Sequence, residues 1–197
     1  MKELIENSLN VAQSYAEYME MVLNLIKQGK STGPVQSEDR LTFSKLNNSR
    51  MKRLDKQVRL SDNTIQKLTE VEGDFTWMVL TESWCGDAAQ TLPVLNKFAE
   101  STDKIKLKLV LRDENEELMD QFLTNGSRSI PKVIVVDNSS NEVVGSWGPR
   151  SFKAGKMVSD YKAEHGIVDA HIKESLQRWY NEDKGVEIER EMLELIP

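Results

Sequence analysis

Hydrophobic residues at helical spacing dominate the first part of the chain. Within residues 2–28 they recur every three or four positions, and this spacing predicts one amphipathic helix that ends at Gly29. Glycine and proline interrupt residues 29–40, where no periodicity remains, so this stretch is predicted to be a loop and an internal boundary. The apolar stripe of the helix needs a cover, which the core, the C-terminal helices or a second copy of the chain could provide.

A basic segment follows this loop. Residues 47–59 are predicted to form a short helix, and Ser61 or Asp62 can cap a further helix that runs to about Val71. Six basic residues and one acid fall within residues 45–59. We interpret them as a solvated helix face, with a patch for an anionic ligand as the alternative.

The pattern changes after residues 73–74. An uninterrupted apolar run at 75–80 is typical of a buried parallel strand. Together with the later alternations and helical spacings, it predicts strands at 75–80, 105–111, 133–136 and 142–146, and helices at 85–101, 115–124, 151–164 and 169–182. Residues 181–197 are acidic with regularly placed apolar residues, which fits either a docked amphipathic helix or a partner-binding tail.

Composition and charge narrow the function classes. The chain has 197 residues, of which 39% are hydrophobic and 29% charged, as expected for one globular core. A net charge of −6 disfavours nucleic acid and anionic membranes as partners. No run approaches the ~18 apolar residues of a membrane-spanning helix, and no secretory segment is visible. We therefore predict a cytoplasmic protein.

One cysteine carries most of the candidate chemistry. Cys85 lies where a predicted buried strand leads into a helix, so the helix dipole is expected to favour a reactive, accessible thiolate. The alternative is a cysteine that serves as a small buried apolar residue. A single cysteine excludes an intrachain disulfide and a four-cysteine zinc site. His165 and His171 are predicted to have surface or capping roles, and we expect no metal and no cofactor.

The residues around Cys85 resemble a known active site. The segment SWCGDA at 83–88 is similar to the thioredoxin active-site segment, and Pro93 matches the proline that kinks the active-site helix of that family. Residues 126–135 resemble the thioredoxin loop in which a cis-proline faces the cysteine. The segment WGPR at 147–150 resembles that of a bacterial subgroup with a WCGD motif and extra helices.

This resemblance implies a thioredoxin-like α/β fold, with a central mixed sheet flanked by helices. It divides the chain into a helical N-terminal extension at 1–60, a thioredoxin-like domain at 61–165 and a helical C-terminal extension at 166–197. The cis bond is expected between Ile130 and Pro131, where the exposed backbone of Ile130 could pair with an extended substrate. An ordinary trans proline that opens an edge strand is the alternative.

The resemblance also assigns roles to residues. Cys85 is the expected catalytic nucleophile. The expected substrate-binding residues are Trp84, Gly86, Asp87, Ile130, Pro131 and Trp147. Two departures stand out: Ala88 occupies the place of the second active-site cysteine, and Val79 that of a buried carboxylate. Asp87 is expected to raise the thiol pKa unless it points to solvent.

These features predict a monothiol protein that carries out thiol-disulfide exchange. Its expected partner is a disulfide-containing protein or a low-molecular-weight thiol, and an external thiol would resolve the intermediate. Arg128 could attract an anionic thiol or be a solvated turn arginine. The alternative function is a redox-inactive thioredoxin-fold module that binds a protein partner. A homodimer through the N-terminal helix is a further expectation.

Overall fold

A four-stranded mixed sheet forms the centre of the molecule. The structure is a computed structural model that describes residues 1–196. The strands are β1 (Phe75–Thr81), β2 (Ile105–Leu111), β3 (Lys132–Asp137) and β4 (Glu142–Trp147). Their order across the sheet is β2-β1-β3-β4, in which only β1 and β2 run parallel and the other neighbours are antiparallel. The predicted α/β fold with a central mixed sheet is confirmed.

Helices precede, separate and follow the strands. They are α1 (Lys2–Asn10), α2 (Tyr15–Lys27), α3 (Glu38–Gln57), α4 (Asp62–Thr69), α5 (Gly86–Ser101), α6 (Glu116–Asp120), α7 (Phe152–His165), α8 (Ala170–Asp183) and α9 (Val186–Glu194), with a 3₁₀ turn at Arg112–Glu114. None of the helices within residues 1–196 combines the length and the apolar character needed to cross a membrane.

Burial along the strands follows their place in the sheet. Strand β1 lies between β2 and β3 and is buried at every residue, which explains its uninterrupted apolar run. Strand β4 is at the edge and alternates half-buried with exposed residues. Helix α5 packs on the sheet, where the ring of Phe98 lies 5.3 Å from that of Trp77. Helix α5, whose first turn carries the candidate chemistry, is therefore packed against the best-buried strand.

The N-terminal segment is two helices, so the prediction of a single helix over residues 2–28 is wrong. Between α1 and α2 the backbone of Gln13 exchanges two hydrogen bonds with Leu109, both 2.8 Å long. Ser14 then forms a capping box with Glu17 and starts α2 anew. The apolar spacing continues across the break because both helices bury residues in the same core, including Tyr18. The homodimer stays a prediction.

Two other boundaries also differ from expectation, and the structure selects one of the two alternatives for the C-terminal segment. Helix α3 begins after the cap at Ser37, well before the predicted residue 47, and takes in part of the predicted loop. Helix α6 ends at Asp120, because the following residues turn back in a short bridge between Thr124 and Ser127. The acidic C-terminal segment forms α9, whose Met192 is fully buried, so it is a docked helix and not a free tail.

Candidate thiol site

Cys85 caps the first turn of α5. Its Sγ accepts a hydrogen bond from the backbone N–H of Ala88 at 3.5 Å, as the helix N-cap position requires. The thiol donates to the backbone carbonyl of Ile130 at 3.3 Å. The peptide bond between Ile130 and Pro131 is cis, as expected. Ile130 is only 7% exposed, so the expectation of an exposed residue at this position is wrong. The fold thus brings together the two segments that the sequence singles out, although they are 45 residues apart.

The thiol is buried. Cys85 is 9% exposed, and the pKa of its thiol is raised to about 12, mainly by this burial. The charge of Asp87 contributes to the rise, whereas the N–H groups of Ala88 and Asp87 and the guanidinium of Arg150 act in the opposite direction. The expectation of a lowered pKa is therefore wrong, because the loss of water around the sulfur outweighs the helix N-terminus. The resting thiol is protonated at neutral pH.

Asp87 points inward and not to solvent. Its side chain accepts a hydrogen bond from the Tyr180 hydroxyl at 3.0 Å and forms a 2.6 Å ion pair with Arg150. Only 8% of Asp87 is exposed, so its charge acts on the thiol through protein and not through water. Arg150 follows β4 and Tyr180 belongs to α8. The C-terminal part of the chain thus completes the surroundings of Cys85.

The loop before Cys85 is held by α3 and by the loop that precedes it. The Oγ atoms of Ser44 and Ser83 lie 2.7 Å apart, and the side-chain amide of Asn47 donates to the carbonyl of Ser83 at 2.9 Å. The N–H of Thr32 donates to Ser83 Oγ at 3.1 Å. These buried bonds join α3 and the preceding loop to the thiol site.

Comparison with known proteins places this geometry in a family. A family model described as thioredoxin matches residues 33–162. The chain belongs to the thioredoxin family. The match begins before the predicted boundary at residue 61, and the three-part division of this thioredoxin-family chain stays a prediction. No curated protein resembles the sequence closely enough to count as a match.

Two solved structures share the fold of this thioredoxin-family protein. A Pseudomonas aeruginosa protein of unknown function has 19% sequence identity and a TM-score of 0.59, with 93% of this chain and 97% of the other covered. An HIV epitope scaffold has 18% identity and a TM-score of 0.57, with 93% and 98% covered. At these identities the likeness establishes the fold alone. It does extend over the helical regions at both ends.

Trp84 lies between two arginines in this thioredoxin-family site. The guanidinium of Arg40, on α3, is 4.5 Å from the centre of the indole, and that of Arg112 is 5.0 Å from it. Both contacts are of the cation-π type. Arg112 also forms a 2.6 Å ion pair with Asp113, while the Trp84 Nε1 is buried without a hydrogen-bond partner. Two guanidinium groups therefore contact the indole of the residue that precedes Cys85.

A buried carboxyl lies close to the cysteine in sequence. Glu82 is 1% exposed; one of its oxygens accepts from the N–H of Asp113 at 3.0 Å, and the other has no partner within residues 1–196. Burial raises the pKa of Glu82. The position six residues before the cysteine is Val79, which is fully buried. The chain thus has a buried carboxyl three residues before Cys85, which the sequence analysis did not single out.

Gly86, the residue after Cys85, lies beside side chains of α8 and α3. A Cβ atom at this position would lie 3.4 Å from the side-chain nitrogen of Gln177 and 3.7 Å from a guanidinium nitrogen of Arg50. Gln177 is fixed by a 2.9 Å bond from Gln90. Two side-chain donors therefore flank the start of α5.

Other candidate residues face elsewhere. The indole N–H of Trp147 donates to Glu191 on α9 at 2.6 Å, so the contacts of this side chain that the structure describes do not join it to Cys85. Arg128 forms ion pairs with Asp120 and Glu116, in agreement with a surface turn residue. The rings of both histidines stack on Tyr161, that of His165 at 4.0 Å and that of His171 at 5.8 Å.

Sequence reasoning missed the partners of Asp87. The motif segments WCGD and WGPR each contain one charged residue, Asp87 and Arg150. Because these two charges have opposite sign, they are a signal in the sequence that could have predicted the ion pair. Tyr180 gives no comparable signal, because a tyrosine on the apolar face of a helix is expected in any core. The same holds for Arg40 and Arg112, whose contact with Trp84 depends on tertiary packing.

Proposed function

We propose that this protein carries out monothiol thiol-disulfide exchange through Cys85. The observation that supports the proposal most directly is the 3.3 Å contact between Sγ and the carbonyl of Ile130, next to the cis-proline. An extended substrate that pairs with the backbone of Ile130 would have its disulfide beside the sulfur. Because Cys85 is the single cysteine, the reaction has no internal resolving thiol.

The proposed reaction has two exchange steps. The Cys85 thiol gives its proton to a base in solution, and the thiolate attacks one sulfur of a substrate disulfide. A bond forms between Cys85 and that sulfur, while the second sulfur leaves as a thiolate and takes up a proton. The thiolate of a low-molecular-weight thiol then attacks the substrate-derived sulfur of the mixed disulfide. Cys85 leaves as the thiolate and regains a proton, and the product is a new disulfide.

The high pKa of the Cys85 thiol means that it is not deprotonated before a substrate binds. Burial keeps Cys85 protonated in the free protein, and its hydrogen bond to Ile130 occupies the backbone that a substrate would use. A substrate that pairs with Ile130 would displace this bond and free the thiol. The proposal therefore places the activation of Cys85 in the complex with substrate. A thiol-rich compartment such as the cytoplasm would supply the resolving thiol.

The Ala88→Cys variant tests whether the site is built for exchange. A second cysteine would be placed three residues after Cys85, at a backbone N–H that already contacts the sulfur. We expect this variant to reduce the disulfides of insulin in the presence of dithiothreitol, faster than the matched Cys85→Ser/Ala88→Cys protein. Equal rates for the two folded variants would count against a productive site.

A redox-inactive binding module is the second candidate. It is favoured by the buried thiol, whose pKa of about 12 leaves almost no thiolate at neutral pH. In this case Trp84 and Pro131 would contact a partner and Cys85 would be a core residue. The Cys85→Ser variant would then keep every function of the protein, whereas exchange requires the sulfur.

A further inference from the structure

One flank of α3 carries an unusual set of side chains. Phe43 and Leu46 are 50% and 44% exposed, and Arg50 and Arg53 follow them at spacings of four and three residues. These spacings place all four on one side of the helix. We call Phe43, Leu46, Arg50 and Arg53 the α3 stripe. The buried face of α3, with Ser44 and Asn47, lies next to it and holds the loop before Cys85.

The α3 stripe leads to the start of α5. A guanidinium nitrogen of Arg50 lies 3.7 Å from the position that a Cβ at Gly86 would occupy. Arg53 donates to the side-chain oxygen of Asn181 on α8 at 2.7 Å. Arg50 and Arg53 therefore lie on the side of α3 that faces Gly86 and α8.

The two arginines have no acidic partner. Within residues 1–196, neither Arg50 nor Arg53 has a carboxylate within 4.0 Å, and each is instead bonded to an asparagine oxygen. By contrast, Arg112 and Arg150 on the other sides of the site are ion-paired. In a chain with a net charge of −6, two neighbouring unpaired guanidiniums are a local excess of positive charge that an acidic ligand would complement.

We infer that the α3 stripe docks an extended segment of a partner protein in which apolar side chains are followed by acidic ones, and that this segment brings the partner's disulfide to Cys85. This inference rests on the proposed function. From Phe43 to Arg53 the helix axis rises about 15 Å, which an extended segment of about five residues would span. A small anionic thiol could reach the arginines but would leave Phe43 and Leu46 uncovered.

Binding without chemistry tests the surface alone. The full-length Cys85→Ser protein is titrated into a fluorescein-labelled peptide in which leucines are followed by glutamates and then by a terminal serine, and the anisotropy is measured. We expect Arg50→Glu/Arg53→Glu to weaken binding about tenfold or more. Lys45→Glu/Lys52→Glu makes the same charge change on the same helix and is expected to stay within about twofold. Equal weakening by both double variants would overturn the inference.

Two further binding measurements decide whether the α3 stripe binds a peptide segment or only a small anion. A matched peptide with glutamine for glutamate should bind about tenfold more weakly, and Phe43→Ser/Leu46→Ser should weaken binding of the acidic peptide by a similar factor. If Phe43→Ser/Leu46→Ser leaves the binding of the acidic peptide unchanged, or if millimolar glutathione displaces the peptide fully, the surface is a small-anion site and the inference is wrong.

The same peptide with a terminal cysteine, activated as its thionitrobenzoate disulfide, tests delivery to the native thiol. Faster reaction of Cys85 with the acidic peptide than with the glutamine peptide supports docking, and the difference should vanish in Arg50→Glu/Arg53→Glu. If the peptide binds to the Cys85→Ser protein but does not react with Cys85 of the native protein, the proposed exchange is wrong, whereas the docking surface is supported. Reaction that is independent of the arginines would overturn the docking surface alone.

Discussion

The two sides of Cys85 differ in how their charges are balanced. On the C-terminal side, Asp87 is buried and holds both Arg150 and Tyr180 through its two oxygens. On the α3 side, the side-chain partners of Arg50 and Arg53 among residues 1–196 are asparagine oxygens. The charge of Asp87 is therefore balanced by a residue of the same chain, whereas the charges of Arg50 and Arg53 are available to a ligand.

This difference separates two tasks of one site. Paired and buried charges act on the proton of Cys85, because a fixed charge in a medium without water has a strong effect on a neighbouring pKa. Unpaired charges near solvent act on what approaches the protein, since they contribute to association and orientation. We therefore expect the residues around Asp87 to control the protonation of Cys85, and the α3 stripe to select the partner.

The largest expected effect concerns the reactivity of the resting thiol. The rate of alkylation by iodoacetamide follows the thiolate fraction, so native Cys85 should react at least a hundredfold more slowly at pH 7 than the urea-denatured chain. Its rate should keep rising with pH towards the thiol pKa of about 12, whereas that of the denatured chain levels off near pH 9. A native midpoint below 8.5 would refute the buried resting state.

Arg150→Gln should destabilise the protein most among the single variants on the Asp87 side. It leaves the buried charge of Asp87 without its cation, which costs about 2 kcal/mol in the free energy of unfolding. Urea denaturation measures this loss. The control is Arg178→Gln, which removes an exposed ion pair with Glu174 and should change stability by less than about 0.5 kcal/mol. Equal effects of the two variants would mean that the Asp87 pair is not structural.

Asp87→Asn should make the thiol more acidic. Removing the negative charge lowers the pKa of Cys85, while burial still keeps it above the ordinary range. At pH 8 a lower pKa means more thiolate, and we expect alkylation about tenfold faster than in the native protein. Asp120→Asn, which alters a surface pair with Arg128, is the control and should leave the rate unchanged. If Cys85 is alkylated more slowly in Asp87→Asn than in the native protein, the charge of Asp87 does not raise the pKa of the thiol.

Tyr180→Phe should have the smallest effect. Burial, with the charge of Asp87 adding to it, raises the pKa of Tyr180, so its hydroxyl stays protonated and donates to Asp87. Loss of this one bond should cost about 1 kcal/mol of stability by urea denaturation and change the alkylation rate of Cys85 by no more than a few-fold. A loss as large as that in Arg150→Gln would show that the hydroxyl contributes as much as the ion pair to holding Asp87, and the expected order of effects would be wrong.

Local sequence pattern was sufficient for the strands and for the place of the cysteine. Strand β1 is an unbroken apolar run because it is buried on both faces, and Cys85 follows it at the start of a helix, as predicted. The cis-proline beside the thiol was expected from the motif, and the structure confirms it. These features depend on neighbours in sequence or on a motif whose parts lie in a fixed order.

Features that depend on distant packing could not be predicted in the same way. The pKa of Cys85 was expected to be low because the helix start is visible in the sequence, while the cover that removes water from the sulfur is not. The break before Tyr15 depends on a backbone pairing between Gln13 and Leu109, which no spacing reveals. The basic residues of α3 were interpreted as a solvated face, because the position of Gly86 beside Arg50 follows from the fold alone.

The central claim is that Cys85 exchanges with a disulfide, and mass spectrometry of the intact protein tests it most directly. Native protein is incubated at pH 8 with a thionitrobenzoate-activated peptide disulfide, and then with glutathione. The account predicts one peptide bound per chain through Cys85, none in Cys85→Ser, and release of the peptide by glutathione. A native chain that stays unmodified, while the denatured chain forms the adduct fully, would contradict the account.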